Sequence, residues 1–309
     1  MNIFKKINYL KSIYDLHNIH KKLKKLNDYN IKKYPRLATY SFDIIGTEIS
    51  LFGIFEKKEL ENLKDCIFDK MNFMDSICLD VGANIGNHSL NFSKYFKYVH
   101  AFEPNPDTFQ LLKFNTRNSN NICIYEYGLS DNIDEISVKF DKLKDRGHFS
   151  LRSDEKSNFK SNLFDEFKIK LKKFDDVFTN VNEKISFIKL DVEDYEIKVL
   201  NGMKISLQKH SPLIFFEQYQ NQFTSNNNNY YSSPVIDFLK KNNYNYFYEQ
   251  SFYRKWKFSN NHNSLFNKFL KIFEFIIFDL PKKENKLLPL NIFEKKDYNG
   301  IIASKNKLE

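Results

Sequence analysis

Gly82 and Gly86 enclose Asn84 in the six-residue turn Gly82-Ala83-Asn84-Ile85-Gly86-Asn87, which follows the apolar run Ile77-Cys78-Leu79 and Asp80. Glycine removes the Cβ that would hold a ligand away from the backbone, and asparagine is among the few other residues that tolerate left-handed geometry. Further on, Val99-His100-Ala101-Phe102 ends in Glu103, with Pro104 and Asn105 behind it. A carboxylate closing a second strand can accept hydrogen bonds from both hydroxyls of a ribose. Strand, turn, helix, strand and acid, in that order, predict the front half of a nucleoside-binding α/β unit. Asp80, Gly82, Asn84, Gly86, Asn87, Glu103, Pro104 and Asn105 are its candidate cofactor residues.

The spacing also discriminates between cofactors. Dinucleotide sites use G-x-G-x-x-G because a pyrophosphate must rest on the helix N-terminus, whereas this turn reads G-x-x-x-G. No G-x-x-x-x-G-K-[ST] occurs, so a P-loop is excluded. S-adenosylmethionine carries no phosphate; its amino acid end and sulfonium cation are served by Asp80 and backbone groups. A second acidic group, Asp191-x-Glu193, closes a later strand, and Glu217 closes the strand after it. While strand geometry persists, Asp191 and Glu193 face the same side, at the carboxyl end where ligands bind in open α/β sheets. Either is a general base for an acceptor hydroxyl, or both hold Mg2+ or Ca2+. Asp194 and Glu196 read as first-turn acids favoured by a helix dipole, and His88 as a packing or capping residue.

The elements that must position these groups alternate. Strands are expected at 76–81, 98–103, 122–128, 185–191 and 212–217, with short strands near 134–140 and 168–172. Helices are expected at 86–96, 106–118 and 195–208. Such alternation predicts a parallel sheet covered on both faces. Before it, Ser41–Ile45 and Glu48–Leu51 read as a hairpin about Gly46-Thr47, and Glu56–Asp69 as a helix. A polar loop at Asn226–Asn229, a helix at 233–242, a strand at 244–249, an apolar helix at 263–279 and a last strand at 299–304 complete the reading. The body starts near residue 40: a helical extension over 1–39 precedes a domain over 40–309, its core motifs at 76–220 and its last helices and strands at 230–305.

The charge belongs to the extension. Of a net +9, residues 1–36 carry +8, from ten basic and two acidic side chains, and the other 273 residues carry +1. A nearly neutral body is not a nucleic-acid surface, so no nucleic-acid partner is expected. In the extension Ile3, Phe4, Ile7, Leu10, Tyr14, Ile19, Leu23 and Leu26 recur among the lysines, giving a basic helix or helix pair ended by Pro35. That stripe either packs on the body or makes a peripheral contact with an anionic membrane face or a partner. Cys66, Cys78 and Cys123 are odd in number and far apart, which argues for a reducing compartment, with the cytoplasm as the expected location.

At these residues the chain resembles the FkbM family of S-adenosylmethionine-dependent methyltransferases, over roughly residues 50–220 and the terminal strand. Phe55-Glu56 resembles the family's aromatic-Glu element, Asp80–Gly86 its first motif and Phe102-Glu103-Pro104-Asn105-Pro106 its second. Gly128-Leu129-Ser130-Asp131 resembles the segment beside the adenine, which adds Ser130 and Asp131 to the cofactor residues. Gly147-His148-Phe149-Ser150-Leu151 resembles the next element, where His148 is a candidate base or substrate contact. Phe187–Glu193 resembles the fourth-strand motif, Val199–Gly202 its sequel and Pro212–Glu217 the fifth strand. Asp194 stands where the family usually has glycine, so the turn after the fourth strand is expected to be reshaped. The resemblance implies a class I methyltransferase (Rossmann-like) fold: an α/β sheet of seven mostly parallel strands with the last antiparallel. It also implies O-methylation of a sugar hydroxyl in a surface glycan or natural product, with Asp191, Glu193, Glu217 and His148 on the acceptor side. The alternatives are a nucleotide-sugar oxidoreductase using NAD and a non-catalytic binding subunit tethered through its extension.

Overall fold

The structure is a computed structural model that describes residues 3–41, 43–141, 164–179, 183–225, 231–254 and 283–308. The apolar helix expected at 263–279, the loop at 226–229 and the Gly147–Leu151 element with His148 lie outside those residues. In chain order the first elements are helix α1 (Ile3–Asn30), α2 (Ile44–Phe52) and α3 (Lys57–Leu63), which runs on as a π-helical turn over Lys64–Phe68. Strand β1 (Ile77–Val81), α4 (Asn87–Phe92), β2 (Tyr98–Phe102), α5 (Pro106–Thr116) and β3 (Ile122–Tyr125) follow. Next come β4 (Gly128–Leu129), β5 (Asp134–Asp141), β6 (Phe164–Lys172), α6 (Phe174–Val177), β7 (Ile185–Leu190), α7 (Glu196–Asn201), α8 (Lys204–His210) and β8 (Leu213–Gln218). The last are β9 (Thr224–Ser225), β10 (Tyr231–Ser232), α9 (Pro234–Lys241), β11 (Tyr246–Arg254), β12 (Lys283–Pro289) and β13 (Tyr298–Ser304).

Eight strands form the central sheet in the order β12-β11-β13-β8-β7-β1-β2-β3. From β8 to β3 neighbours run parallel, and β13 is antiparallel to both β8 and β11. The expected seven strands, with the last antiparallel, are therefore present, and β12 adds an eighth. Its sequence, Lys-Glu-Asn-Lys-Leu-Leu-Pro, lacks the apolar alternation of a buried strand. Charges and a terminal proline suit the sheet edge it occupies beside β11.

Alternate side chains of the central strands feed two cores. Leu79, Val81, Ile188, Leu190, Ile214 and Phe216 pack under α7, α8 and α9. Cys78, Phe187, Phe215 and Ile302 face α3, the π-helical turn and α4. Phe68 centres this second core, with Phe73, Phe92, Phe96 and Phe187 edge-on to it at centroid distances of 5.3–5.9 Å.

Three local expectations are corrected. The segment read as a hairpin over 41–51 is helix α2. Asp43 caps it by accepting the Gly46 N–H at 2.5 Å, and Gly53, at φ 81°, ends it with its N–H on the Ile49 carbonyl. An N-cap acid and a left-handed terminal glycine outweigh the β-branched residues between them. The strand expected over 122–128 stops at Tyr125, and Gly128-Leu129 pairs with β6 in a separate three-stranded sheet. The helix expected over 195–208 breaks at Gly202-Met203, because Gly202 lies against the Ser130 carbonyl so closely that a Cβ would approach its oxygen to 1.9 Å.

At the N-terminus a single helix, α1, stops at Asn30, five residues before Pro35. Buried Asn30 donates to the Leu51 carbonyl at 3.1 Å. Ile19, Leu23 and Leu26 remain exposed on α1, so in this part the apolar stripe is not packed on the body. Residues 35–40 run beside α5, where the Asn115 amide clamps the Ala38 backbone from both sides at 2.7 and 3.0 Å. No helix among the described residues is long and apolar enough to cross a membrane.

Candidate functional site

Strand order reverses at β1, which lies between β2 and β7, so the ends of β1 and β7 flank the crevice where ligands of open α/β sheets bind. Gly82 leaves β1 at φ 81° and passes so near β7 that a Cβ would sit 1.8 Å from the Asp191 carbonyl oxygen. Only glycine fits. Asn84 takes left-handed geometry at φ 49°, and Gly86, at φ 88°, opens α4. The turn is tied to β2 through the Gly82 and Ala83 N–H groups, which both donate to the Phe102 carbonyl.

Glu103 is 6% exposed and tied at both oxygens: one accepts the Asn84 N–H at 3.0 Å, the other the Asn105 N–H at 2.8 Å. Burial pushes its carboxyl up to about 7, against the pull of those two backbone donors. Beside it lies a cleft of about 600 Å3 including its open mouth, lined by Gly82, Asn84, Glu103, Pro104, Asp191 and Glu193 among others. Gly128, Leu129 and Tyr195 supply an apolar wall. Among the described residues, three carboxylates line this cleft and no lysine or arginine does.

The remaining sequence-predicted cofactor residues stand behind the lining. Asp80 is fully buried, accepting the Ser89 hydroxyl at 2.6 Å. The Asn87 side chain bonds both the N–H and the carbonyl of Phe55 at 3.1 Å. Asn105 caps α5, accepting from the N–H groups of Asp107 and Thr108. Ser130 is buried and donates to Asp131 at 3.2 Å, one residue beyond the Leu129 wall.

On the acceptor side the expected strand geometry does not persist, since β7 ends at Leu190. Asp191 and Glu193 nevertheless both reach the cleft, because Glu193 (φ 49°) and Asp194 (φ 74°) turn the chain through two left-handed residues. Asp194 thus keeps the conformation glycine would adopt at its position. The Gln222 amide donates to its carboxylate. Glu217 lies alongside in β8 and accepts the Tyr219 hydroxyl at 2.7 Å. Burial, then the carboxylates of Asp191 and Glu56, push Glu217 up to about 8. Glu196 opens α7 as expected but is buried, which raises it to about 7. Among the described residues no three or more His, Cys, Asp or Glu side chains are grouped to hold a metal ion.

One buried charge beside the cleft escaped the sequence reading. Lys189, 3% exposed in β7, places its ammonium 3.2 Å from the Gly82 carbonyl, 3.0 Å from Asp191 Oδ2 and 3.5 Å from Asp80 Oδ1. Burial lowers its pKa, yet Asp191, Asp80 and Glu56 together outweigh that and hold it above the usual lysine range. Its signal was present as a lone lysine inside the apolar run Ile185–Leu190, two residues before Asp191.

The motifs recur in known proteins. The family described as the methyltransferase FkbM domain matches residues 80–246, more than half of the chain. The chain is 33% identical over 135 residues to the hexuronic acid methyltransferase AglP of Haloferax volcanii, a stretch covering 43% of this chain and 52% of that protein. It therefore spans about half the length of the curated relative it matches. Among solved structures, the methyltransferase FkbM from Methylobacillus flagellatus KT aligns at TM-score 0.35 and 17% identity over 66% of this chain and 49% of its own. Precorrin-6y C5,15-methyltransferase from Geobacter metallireducens GS-15 aligns at TM-score 0.39 and 11% identity over 87% and 95%. The family's match begins at Asp80 and runs through the glycine turn, Glu103, Lys189, Asp191 and Glu217, and on this evidence the chain belongs to the FkbM methyltransferase domain family.

Proposed function

We propose that the chain is an S-adenosylmethionine-dependent O-methyltransferase whose acceptor is a sugar hydroxyl in a surface glycan or polysaccharide. The observation that carries this reading is the acidic cleft at the β1–β7 crevice, floored by Gly82 and lined by Glu103, Asp191 and Glu193. Such a lining suits a nucleoside bearing a sulfonium cation and opposes a pyrophosphate. The name of the Haloferax relative, a hexuronic acid methyltransferase, supports a sugar as acceptor.

The cofactor supplies a methyl group already activated on sulfur. The chain's task is to hold donor and acceptor in line, exclude water and take the acceptor's proton. Glu103, ionised, accepts the ribose hydroxyls, and Asn84 and Asn105 fix its two oxygens. Leu129 and Tyr195 shield the apolar side of the nucleoside, with Ser130 and Asp131 behind them. Asp191, paired with Lys189, is the candidate base, and Glu193 lines the same cleft. Glu217, holding its proton at neutral pH, donates a hydrogen bond to the acceptor instead of competing for its proton. A positioned base of this kind contributes about 10²–10⁴-fold to rate. The basic extension, with Ile19, Leu23 and Leu26 exposed, supports a peripheral contact with an anionic surface or partner.

Calorimetric titration with S-adenosylmethionine, S-adenosylhomocysteine and NAD tests the reading, together with transfer of a labelled methyl to hexuronic acid glycosides and neutral sugar glycosides. Binding of the first two without NAD, and label in a base-stable ether, is the expected result. NAD binding alone would overturn it.

A further inference from the structure

Glu56 breaks two local rules at once. It occupies the residue before α3, where a Ser, Thr, Asp or Asn in extended geometry ordinarily caps the helix with its side chain. Here its backbone is left-handed, at φ 50° and ψ 44°, and its side chain makes no capping bond. Strained residues that forgo a local bond persist where the surroundings over-determine them, and they concentrate at functional sites.

The surroundings do over-determine it. The Asn87 amide clamps the Phe55 backbone through two bonds of 3.1 Å, and the Glu56 N–H reaches Glu48 Oε2 at 3.3 Å. His88, buried against Phe92 on α4, brings Nε2 to 3.2 Å from Glu56 Oε2. That nitrogen makes no aligned hydrogen bond, so the contact leaves the carboxylate's accepting capacity open. About a quarter of the Glu56 side chain is left exposed. The clamp from Asn87 and the contact with His88 hold it beside the first turn of α4, directly after the glycine turn, where its charge is felt at Lys189 and Glu217. Glu56 also precedes the segment matched by the family, residues 80–246.

We propose that Glu56 is an acceptor-binding residue: its carboxylate, held beside His88 and clamped at the backbone by Asn87, accepts a hydroxyl of the sugar ring. This rests on the methyl-transfer reading above. More than one carboxylate around a site suits a polyhydroxylated acceptor, because each accepts hydroxyl donors.

Glu56→Gln and His88→Phe in the full chain test it against three readouts: calorimetric affinity for S-adenosylmethionine, kcat and KM on hexuronic acid and neutral sugar glycosides, and thermal midpoint. Glu56→Gln is expected to bind S-adenosylmethionine within twofold of the parent while its acceptor KM rises at least tenfold and kcat changes less. His88→Phe is expected to move KM in the same direction by a smaller factor. The midpoint of Glu56→Gln is expected to stay level or rise, since a carboxylate leaves a crowd of carboxylates. An unchanged acceptor KM, or equal loss of cofactor affinity, overturns the proposal. Should the parent methylate none of the glycosides, the glycan reading fails instead, and the midpoint still decides here: a fall of several degrees in Glu56→Gln makes the residue a structural ion pair and overturns the proposal.

Discussion

Replacing Lys189 by methionine removes the ammonium that touches Asp80, Asp191 and the Gly82 carbonyl while keeping most of the side-chain volume. Asp191 is about a third exposed and can turn to water; Asp80 is fully buried and keeps only the Ser89 hydroxyl. Breaking a buried pair by deleting one partner costs about 3–5 kcal/mol, because the remaining charge is left without compensation. For a domain of this size each kcal/mol moves the thermal midpoint by roughly 2–4 °C, so a fall of about 6–20 °C is expected. The double variant Asp80→Asn/Lys189→Met removes both charges and should recover most of that loss, since an amide still accepts from Ser89. Its cofactor affinity should nonetheless stay at least tenfold weak, because the Gly82 carbonyl and Asp191 are no longer held to each other. Denaturation at pH 7 and calorimetric titration of both variants are the measurements. A single variant within about 1 kcal/mol of the parent, or a double variant with full affinity, would refute the role given to Lys189.

Cofactor affinity should fall about tenfold per unit as pH drops below about 7, because Glu103 must lose its proton to accept the ribose hydroxyls; titration between pH 5.5 and 8 in Glu103→Gln should give weaker, flat binding. The raised folded-state pKa of Glu217 makes its stabilising contribution complete below the ordinary carboxylate range and lost as pH rises through about 8. Glu217→Gln should therefore flatten the decline in stability between pH 5 and 8 seen by chemical denaturation. Asp194→Gly relieves a left-handed non-glycine residue, a gain of about 1 kcal/mol offset by the lost Gln222 bond, so its midpoint should lie within a few degrees of the parent.

Legibility in the sequence followed the range of the forces involved. The turn from Gly82 to Asn87 could be read because glycines, a preceding apolar run and a following acid are local signals, and each falls where a strand end or helix start requires it. The segment around Gly46 misled because Ile and Thr are β-branched, while its caps, Asp43 and Gly53, lie outside the apolar pattern. β12 escaped because an edge strand needs no apolar alternation. Asp191 and Glu193 reached the cleft for a reason the period-two argument did not contain, two left-handed residues after the strand end. Lys189 could not be assigned from spacing alone. Its meaning depends on Asp80, its cross-strand neighbour, and strand register is a long-range property that 108 intervening residues conceal.

The cross-strand pairing has a mechanical consequence. Asp80 and Lys189 are direct neighbours in the β1–β7 ladder, and two residues beyond them Gly82 presses on the Asp191 carbonyl with no room for a single carbon. The turn proposed to receive the methyl donor and the carboxylate proposed to face the acceptor therefore form one rigid unit, joined by a ladder, an ammonium bridge and a backbone contact. Methyl transfer gains chiefly from alignment, and a misplacement of about 1 Å can cost 10²-fold. Substitutions that loosen this joint should lower kcat more than they weaken either ligand, whereas substitutions at Glu103 or Glu56, each facing one ligand, should act mainly on binding. Gly82→Ala tests the distinction, because its added Cβ would lie 1.8 Å from the Asp191 oxygen and must push β1 and β7 apart. If that variant folds and loses only cofactor affinity, with kcat at saturating cofactor intact, donor and acceptor are aligned by something other than this contact.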